Sequence, residues 1–369
     1  MPRKPSAKAR KRGRPKRTSP YQNHLIDHIR SKIIAGELKP GEQLPRRHDL
    51  QKQFKVSYLT VQRAVTRLVN SGYLKAIPSQ GTFVSQRPPH LYRYAIILPF
   101  RETDPEYVKF WDALKEAAQH FKGEGAVDSP QFDFWEGIGW EHDTEEFRRL
   151  EMMVEEHFYG GILFTTEPFQ LKRTSLLEYP SIPRVAIRSK MENNPHLGEI
   201  IFNSPVFFER AMERLARKGC RRLAMIAVPG HTQYLKNIDD LCRRYCIEMP
   251  PGFLQYSHQH LPFSAYHIVR LLLEETSLPP EGLIVSDDNL EDSVIQALKD
   301  LGVSVPRDLQ LVVHCNFPAP PSPIPSIDRL GYDATEILRS ALAHFRQMRE
   351  TGHPLPATII QPCFENELR

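Results

Sequence analysis

The sequence has 369 residues, long enough for two or three folded units that each bury a core. Its 40% hydrophobic and 25% charged residues suit a globular chain, and no apolar run approaches the roughly 18 residues of a membrane span. No apolar stretch follows the basic N-terminus, so no secretory signal is expected, and five scattered cysteines with no Cys-x-x-Cys pair speak against a disulfide framework or zinc ribbon. A reducing cytoplasm, with the chain at the nucleoid, is the expected location.

The net charge of +5 hides a large separation. Residues 1–20 hold nine Lys/Arg and no acid, and residues 21–90 hold eleven Lys/Arg against four acids. The remaining 279 residues hold 29 basic and 40 acidic side chains. A front end at +16 on a body at −11 points to a polyanion at one end and a different partner at the other.

Residues 1–20 carry four prolines and almost no apolar side chains, so they cannot offset chain entropy by burial and are expected to be disordered when free. Their centre, Lys11-Arg12-Gly13-Arg14-Pro15-Lys16-Arg17, resembles an AT-hook. That resemblance implies that Arg12 and Arg14 enter a narrow A·T minor groove; a basic arm touching phosphates without preference fits the same residues.

Leu25, Ile26, Ile29 and Ile33 recur at helical spacing and predict a helix over about 21–35, closed by Gly36. Pro40-Gly41 breaks the chain, a short helix is expected from Arg46 to Phe54, and Ser57 stands as N-cap of a third helix with Val61, Val65 and Leu68 on one face. Strands over 73–77 and 82–84 then flank the turn Pro78-Ser79-Gln80-Gly81. This order is that of a winged helix over 21–86.

The pattern Ile34-x-Gly36-x-Leu38-x-Pro40-Gly41-x-x-Leu44-Pro45, then Phe54-x-Val56-Ser57-x-x-Thr60-Val61-x-x-Ala64, Gly72-Tyr73-Leu74 and Gly81-Thr82-Phe83-Val84, resembles the GntR family. The resemblance implies that the helix from Ser57 enters the major groove and the Gly81 tip reaches the minor groove or backbone. The expected DNA contacts are Arg46, Arg47, His48, Ser57, Tyr58, Thr60, Gln62, Arg63, Gln80 and Gly81. His48, Tyr58 and Gln62 stand where the family commonly has arginine. Arginine reads guanine whereas glutamine reads adenine, so the operator is expected to be richer in A·T. Tyr58 fits a base contact and a phosphate or packing contact equally.

Residues 87–91, with Pro88-Pro89, are expected to form a short stiff joint. Apolar strands then alternate with helices. Strands fit 94–98, 131–135, 161–165, 183–187, 199–203, 222–228, 282–286, 309–314 and 358–361. Helices fit 105–122, 144–158, 206–218, 234–246, 264–276, 289–301 and 331–350. This alternation predicts an α/β fold with parallel sheets.

Three stretches resemble the sensor of LacI-type repressors, which shares the fold of type I periplasmic sugar-binding proteins. They are Ile201-Phe202-Asn203 with the helix ending Leu215-Ala216-Arg217-Lys218-Gly219-Cys220-Arg221-Arg222, Gly282-Leu283-Ile284-Val285-Ser286-Asp287-Asp288, and Pro323-Ile324-Pro325-Ser326-Ile327-Asp328. The resemblance implies a two-lobed domain over 92–369. One lobe is expected at about 92–203 plus 326–350 and the other at about 204–318 plus 354–369, with a small molecule, sugar or related metabolite, in the cleft. Phe100, Arg101, Arg188, Asn203, Tyr234 and Asp288 are the implied cleft residues, although Asn203 replaces the usual aspartate and Tyr234 an arginine. Asp288 fits both a ligand contact and an N-cap, Arg188 a ligand contact and an edge ion pair, and Phe100 and Tyr234 both packing and stacking.

No catalytic, cofactor or metal signature appears. There is no His-Glu-x-x-His, phosphate-binding glycine loop or nucleophile beside a base, and the pairs His258/His260 and Cys242/Cys246 read as loop and packing residues. A ligand-responsive regulator that binds an operator as a homodimer, with no membrane partner, is the leading expectation, and repression the commoner direction for this architecture. The alternatives are a DNA-binding head fused to an enzyme-like body and a ligand-free architectural protein.

Overall fold

The apolar stripe of the first helix finds its partner in a small three-helix core. In the computed structural model, which describes residues 20–123, 129–178, 182–188 and 196–368, the chain forms two units, divided between Leu91 and Tyr92. The first holds α1 (Pro20–Ile34), α2 (Arg47–Phe54), α3 (Tyr58–Asn70) and the antiparallel hairpin β1 (Leu74–Ile77) and β2 (Gly81–Val84). Leu25, Ile26, Ile29 and Ile33 of α1 meet Val61, Ala64, Val65 and Leu68 of α3, with Leu44, Leu50, Tyr73 and Val84 closing the cluster. Removing this apolar surface from water is the main stabilising term of the head. Lys55, in the left-handed region at φ 51°, ends α2 and turns the chain toward α3.

The wing tip depends on a glycine. Gly81 has φ +132°, and a Cβ there would lie 2.6 Å from Gln43 Nε2. That amide donates to the Gln80 carbonyl at 2.8 Å, so the missing side chain lets Gln43 tie the tip back to the head.

The expected joint is not free chain. Pro88, Pro89 and His90 are buried within the first unit, and the His90 ring stacks on Tyr73 at 5.6 Å between centroids. Tyr73 presents an aromatic face that proline-rich sequence alone does not announce.

The second unit runs in chain order through β3 (Arg93–Ile97), α4 (Lys109–Gly123), β4 (Gln131–Trp135), α5 (Glu145–Glu155), β5 (Ile162–Phe164), α6 (Ser175–Glu178), β6 (Arg184–Arg188) and β7 (Gly198–Phe202). It continues with α7 (Ser204–Arg217), β8 (Leu223–Ala227), α8 (Ile238–Tyr245), β9 (Leu254–Tyr256), α9 (Phe263–Glu274), β10 (Gly282–Val285), α10 (Glu291–Asp300) and β11 (Gln310–Phe317). It closes with β12 (Asp328–Asp333), α11 (Ala334–Thr351), β13 (Thr358–Ile360) and β14 (Cys363–Phe364). The strands form two six-stranded sheets, ordered β13-β7-β6-β5-β3-β4 and β14-β12-β11-β10-β8-β9, parallel throughout except for the β12–β14 pair. Both faces of each sheet are covered. In the first, Ile96, Leu163 and Val185 pack under α4 and α11, while Ala95, Ile97 and Ile162 pack with Phe147 and Leu150 of α5. Such strands must be apolar on both sides, which is why they read as continuous hydrophobic runs.

The lobe boundaries depart from expectation at the C-terminal end. Residues 328–333 do not belong to the first lobe, and the helix expected from 331 does not begin there. They form β12, held in the second sheet by parallel pairing with β11 from Val312↔Asp328 to Phe317↔Asp333. The Asp333 carboxylate then accepts from Thr335 N at 2.7 Å and starts α11, which crosses to pack on α4 and β7. Residues 358–360 belong to the first sheet, in parallel register with β7, rather than to the second lobe. The helix expected from 234 begins at Ile238, after a 3₁₀ turn over Pro229–Tyr234.

Candidate DNA interface and interlobe site

Ser57 caps α3 as its residue type demands. Its Oγ accepts from Thr60 N at 3.1 Å and lies 2.8 Å from Thr60 Oγ1, which fixes both hydroxyls at the helix start. With Val61, Ala64, Val65 and Leu68 turned into the core, Tyr58, Leu59, Gln62 and Arg63 are left exposed on the first two turns. Arg46, Arg47, Gln80 and Gly81 line one groove between the start of α2 and the wing, together with Gln43 and Thr82. His48 is exposed on α2 but does not line this groove. Arg12 and Arg14 lie outside the described residues. Gln43 in this groove and the exposed Leu59 were not singled out in the sequence; the signal for Leu59 was an apolar side chain on a face that is otherwise polar.

Between the lobes lies a cavity of about 540 Å³. Lys109, Asp112 and Glu116 of α4 line it from the first lobe, and Asp288, Glu291, Asn316 and Arg329 from the second. Asp288 is 5% exposed, and its Oδ2 accepts from Asn316 Nδ2 at 2.8 Å and Asn316 N at 3.3 Å. It is not the cap. Asp287 takes that role by accepting from Asn289 N at 3.0 Å, which leaves Asp288 turned to the cavity. Burial pushes the Asp288 and Glu291 carboxyls above their ordinary range, opposed by the Asn316 hydrogen bonds for Asp288 and by the Lys109 charge for both.

Lys109 ties the lobes together. Its backbone N donates to Asn289 Oδ1 at 3.0 Å, and its Nζ lies 2.8 Å from Asp292 Oδ2. Arg329 is held by Glu365, with Nε to Oε2 at 2.9 Å.

Of the other expected cleft residues, Phe100, Arg101, Asn203 and Tyr234 do not line this cavity. Phe100 packs beside Trp111, 6.3 Å between centroids, in the first-lobe core. Arg101 reaches outward toward Glu146 at 3.9 Å. Asn203 Nδ2 donates to Gln361 Oε1 at 2.9 Å, joining two of the segments that pass between lobes. Tyr234 lies 6.2 Å from the His231 ring. Arg188 ends β6, and its side chain lies outside the described residues. Lys109, Glu291, Asn316 and Arg329 were not anticipated.

A second polar cluster stands at the carboxyl ends of the second sheet. His231 Nδ1 lies 2.9 Å from Ser286 Oγ, and the His314 ring sits between Phe207 and Tyr332. Burial holds both imidazoles down to about 4, with the neighbouring His314 adding to the effect on His231 and Asp287 opposing it at His314. A histidine held below its ordinary 6.5 stabilises the fold above that pH, and this stabilisation is lost as the pH falls toward 4. Asp287 and Asp288, held high by burial, act in the opposite sense, since their protonated forms favour the fold. The measurable quantity is therefore a difference. The melting temperature of the wild type relative to a His231→Gln/His314→Gln variant should drop as pH falls from 6.5 to 4 in a thermal scan, and a pH-independent difference would remove this assignment.

The comparison with known proteins follows this division. Residues 21–84 match the bacterial regulatory proteins of the gntR family, and residues 212–362 match the periplasmic binding protein-like domain. The chain joins a GntR-type head to a periplasmic-binding-protein-like body. The arabinose metabolism transcriptional repressor of Geobacillus stearothermophilus is 24% identical over 325 residues, covering 82% of this chain and 83% of that protein. The mannosyl-D-glycerate transport/metabolism system repressor MngR of Escherichia coli is 42% identical over 67 residues, 18% of this chain and 28% of its own. Among solved structures, the Escherichia coli transcriptional repressor ascG superposes with a TM-score of 0.54 at 17% identity, covering 75% of this chain and 97% of that one. The chain is a DNA-binding transcription regulator. Among the described residues no helix is long and apolar enough to cross a membrane.

Proposed function

We propose that this regulator represses transcription by binding an operator as a homodimer and that a small polyhydroxylated effector in the interlobe cavity sets its operator affinity. The observation that carries this reading is the buried Asp288 carboxylate. It is held by Asn316 on one side and opens onto a cavity whose opposite wall, with Lys109, belongs to the other lobe. A ligand there touches both lobes, and differential contact with two lobe arrangements is what couples an effector to a distant site. The working division is a basic tail over 1–20, a head over 21–86 and a sensor over 92–369, acting in the cytoplasm at the nucleoid. Residues 11–17 would add minor-groove contacts in the manner of an AT-hook.

Arabinose is the first probe, because a repressor named for arabinose metabolism resembles the chain along most of its length. Full-length protein is heated with a panel of aldoses and polyols, and a sugar that binds raises the sensor transition by mass action. The same sugar should then change affinity for a duplex selected from a random library by about five- to 150-fold. Stabilisation with no change in duplex affinity would sink the regulatory coupling.

A further inference from the structure

The third helix carries seven apolar side chains, and the fold uses five of them. Val61, Ala64, Val65 and Leu68 are buried in the head core and Val69 packs against it. Tyr58 and Leu59 belong to neither group; they stand 51% and 52% exposed, side by side in the first turn. Leu59 lies one turn ahead of the exposed Gln62 and Arg63, so the three share one face. We infer that Leu59 is a specificity-determining residue that reads the C5-methyl group of a thymine in the major groove, beside the base met by Gln62. This rests on the reading of α3 as the DNA-entering helix.

The chemistry leaves Leu59 little else to recognise. A leucine side chain has no donor or acceptor, and in the major groove thymine alone offers an apolar group, its methyl. Against a G·C pair the same leucine would strip water from N7, O6 or N4 without replacing the hydrogen bond. Tyr58 differs because its hydroxyl can serve a phosphate. The helix pitch of about 5.4 Å against about 3.4 Å per base step places residues one turn apart over bases about one or two steps apart.

The test uses the full chain and the duplex that it selects from a random library. Each thymine of the bound half-site is replaced in turn by deoxyuridine, which removes the methyl and keeps the pairing. One position, one or two base pairs from the one whose readout is lost in Gln62→Ala, should weaken binding about fourfold, the effect of exposing one methyl. Leu59→Ala should lose a similar factor and become indifferent to the methyl at that position, while Leu59→Met should stay sensitive. Because the residue is exposed and alanine favours helix, the melting of the head should not fall. Methyl insensitivity at every thymine in the wild type overturns the inference, as does a Leu59→Ala chain that still discriminates at the same position. If the chain selects no sequence at all, the DNA-entering role of α3 fails with it.

Discussion

Deleting residues 1–19 should flatten the salt dependence of duplex binding more than any single substitution. The segment holds nine of the twenty Lys/Arg in the first 90 residues and no acid. Each cation that neutralises a phosphate releases counterions and contributes about 0.9 to the slope of log affinity on log salt. If only four of the nine meet phosphates, the slope falls by about 3.6 per chain. Between 50 and 200 mM salt that is a difference of about 150-fold. Fluorescence anisotropy with a labelled duplex, titrated at several salt concentrations, reads the slope directly. An unchanged slope would mean that the tail does not touch DNA. A second comparison separates its two readings. If Arg12 and Arg14 occupy a narrow minor groove, replacing an A·T tract beside the half-site by G·C should weaken the full chain and leave the truncated one indifferent. A tail that meets phosphates alone would show the slope without the preference.

Much of the head was legible because its signals are local. Apolar spacing placed α1 and α3, Ser57 announced its own capping role, and Gly81 marked the wing turn, where φ is +132°. The alternation of the body was legible for a related reason, since strands covered on both faces are continuous apolar runs. What stayed hidden was fixed by partners far along the chain. Residues 328–333 have a charge at each end and a glycine within, a poor strand by composition, and pairing with β11 and β14 makes them one. The site shows the same divide. Asp288 was visible as an acid after a strand, but a shift of one residue decides that Asp287 caps and Asp288 faces the cavity. Lys109 meets Asn289 and Asp292 across about 180 residues, and no pattern near it reports that meeting.

The sharpest separation of stability from regulation should come from Asp288→Asn. In the free protein the carboxylate is buried, and its charge is opposed by desolvation that the Asn316 amide and the Lys109 charge only partly offset. An asparagine there has nearly the same shape, keeps an oxygen for Asn316 Nδ2 and carries no charge. The sensor transition of the variant should therefore match the wild type or exceed it. Ligand hydroxyls would lose a charged acceptor, and hydrogen bonds to charged groups are worth about 1.5–3 kcal/mol, so effector affinity should fall by about tenfold or more. Duplex affinity without effector should be unchanged, because Asp288 lies in the sensor unit and α3 in the other. Asp288→Ala gives the contrast. It leaves the Asn316 side chain and backbone N–H without their acceptor in a buried place, so it should lower the sensor transition as well as the effector response. Calorimetric scans with and without sugar, beside duplex titrations, read all three quantities. A stable Asp288→Asn chain with an undiminished effector response would mean that the negative charge serves neither the fold nor the effector. A stable chain that no longer responds would mean that a charge unfavourable to folding is retained for binding.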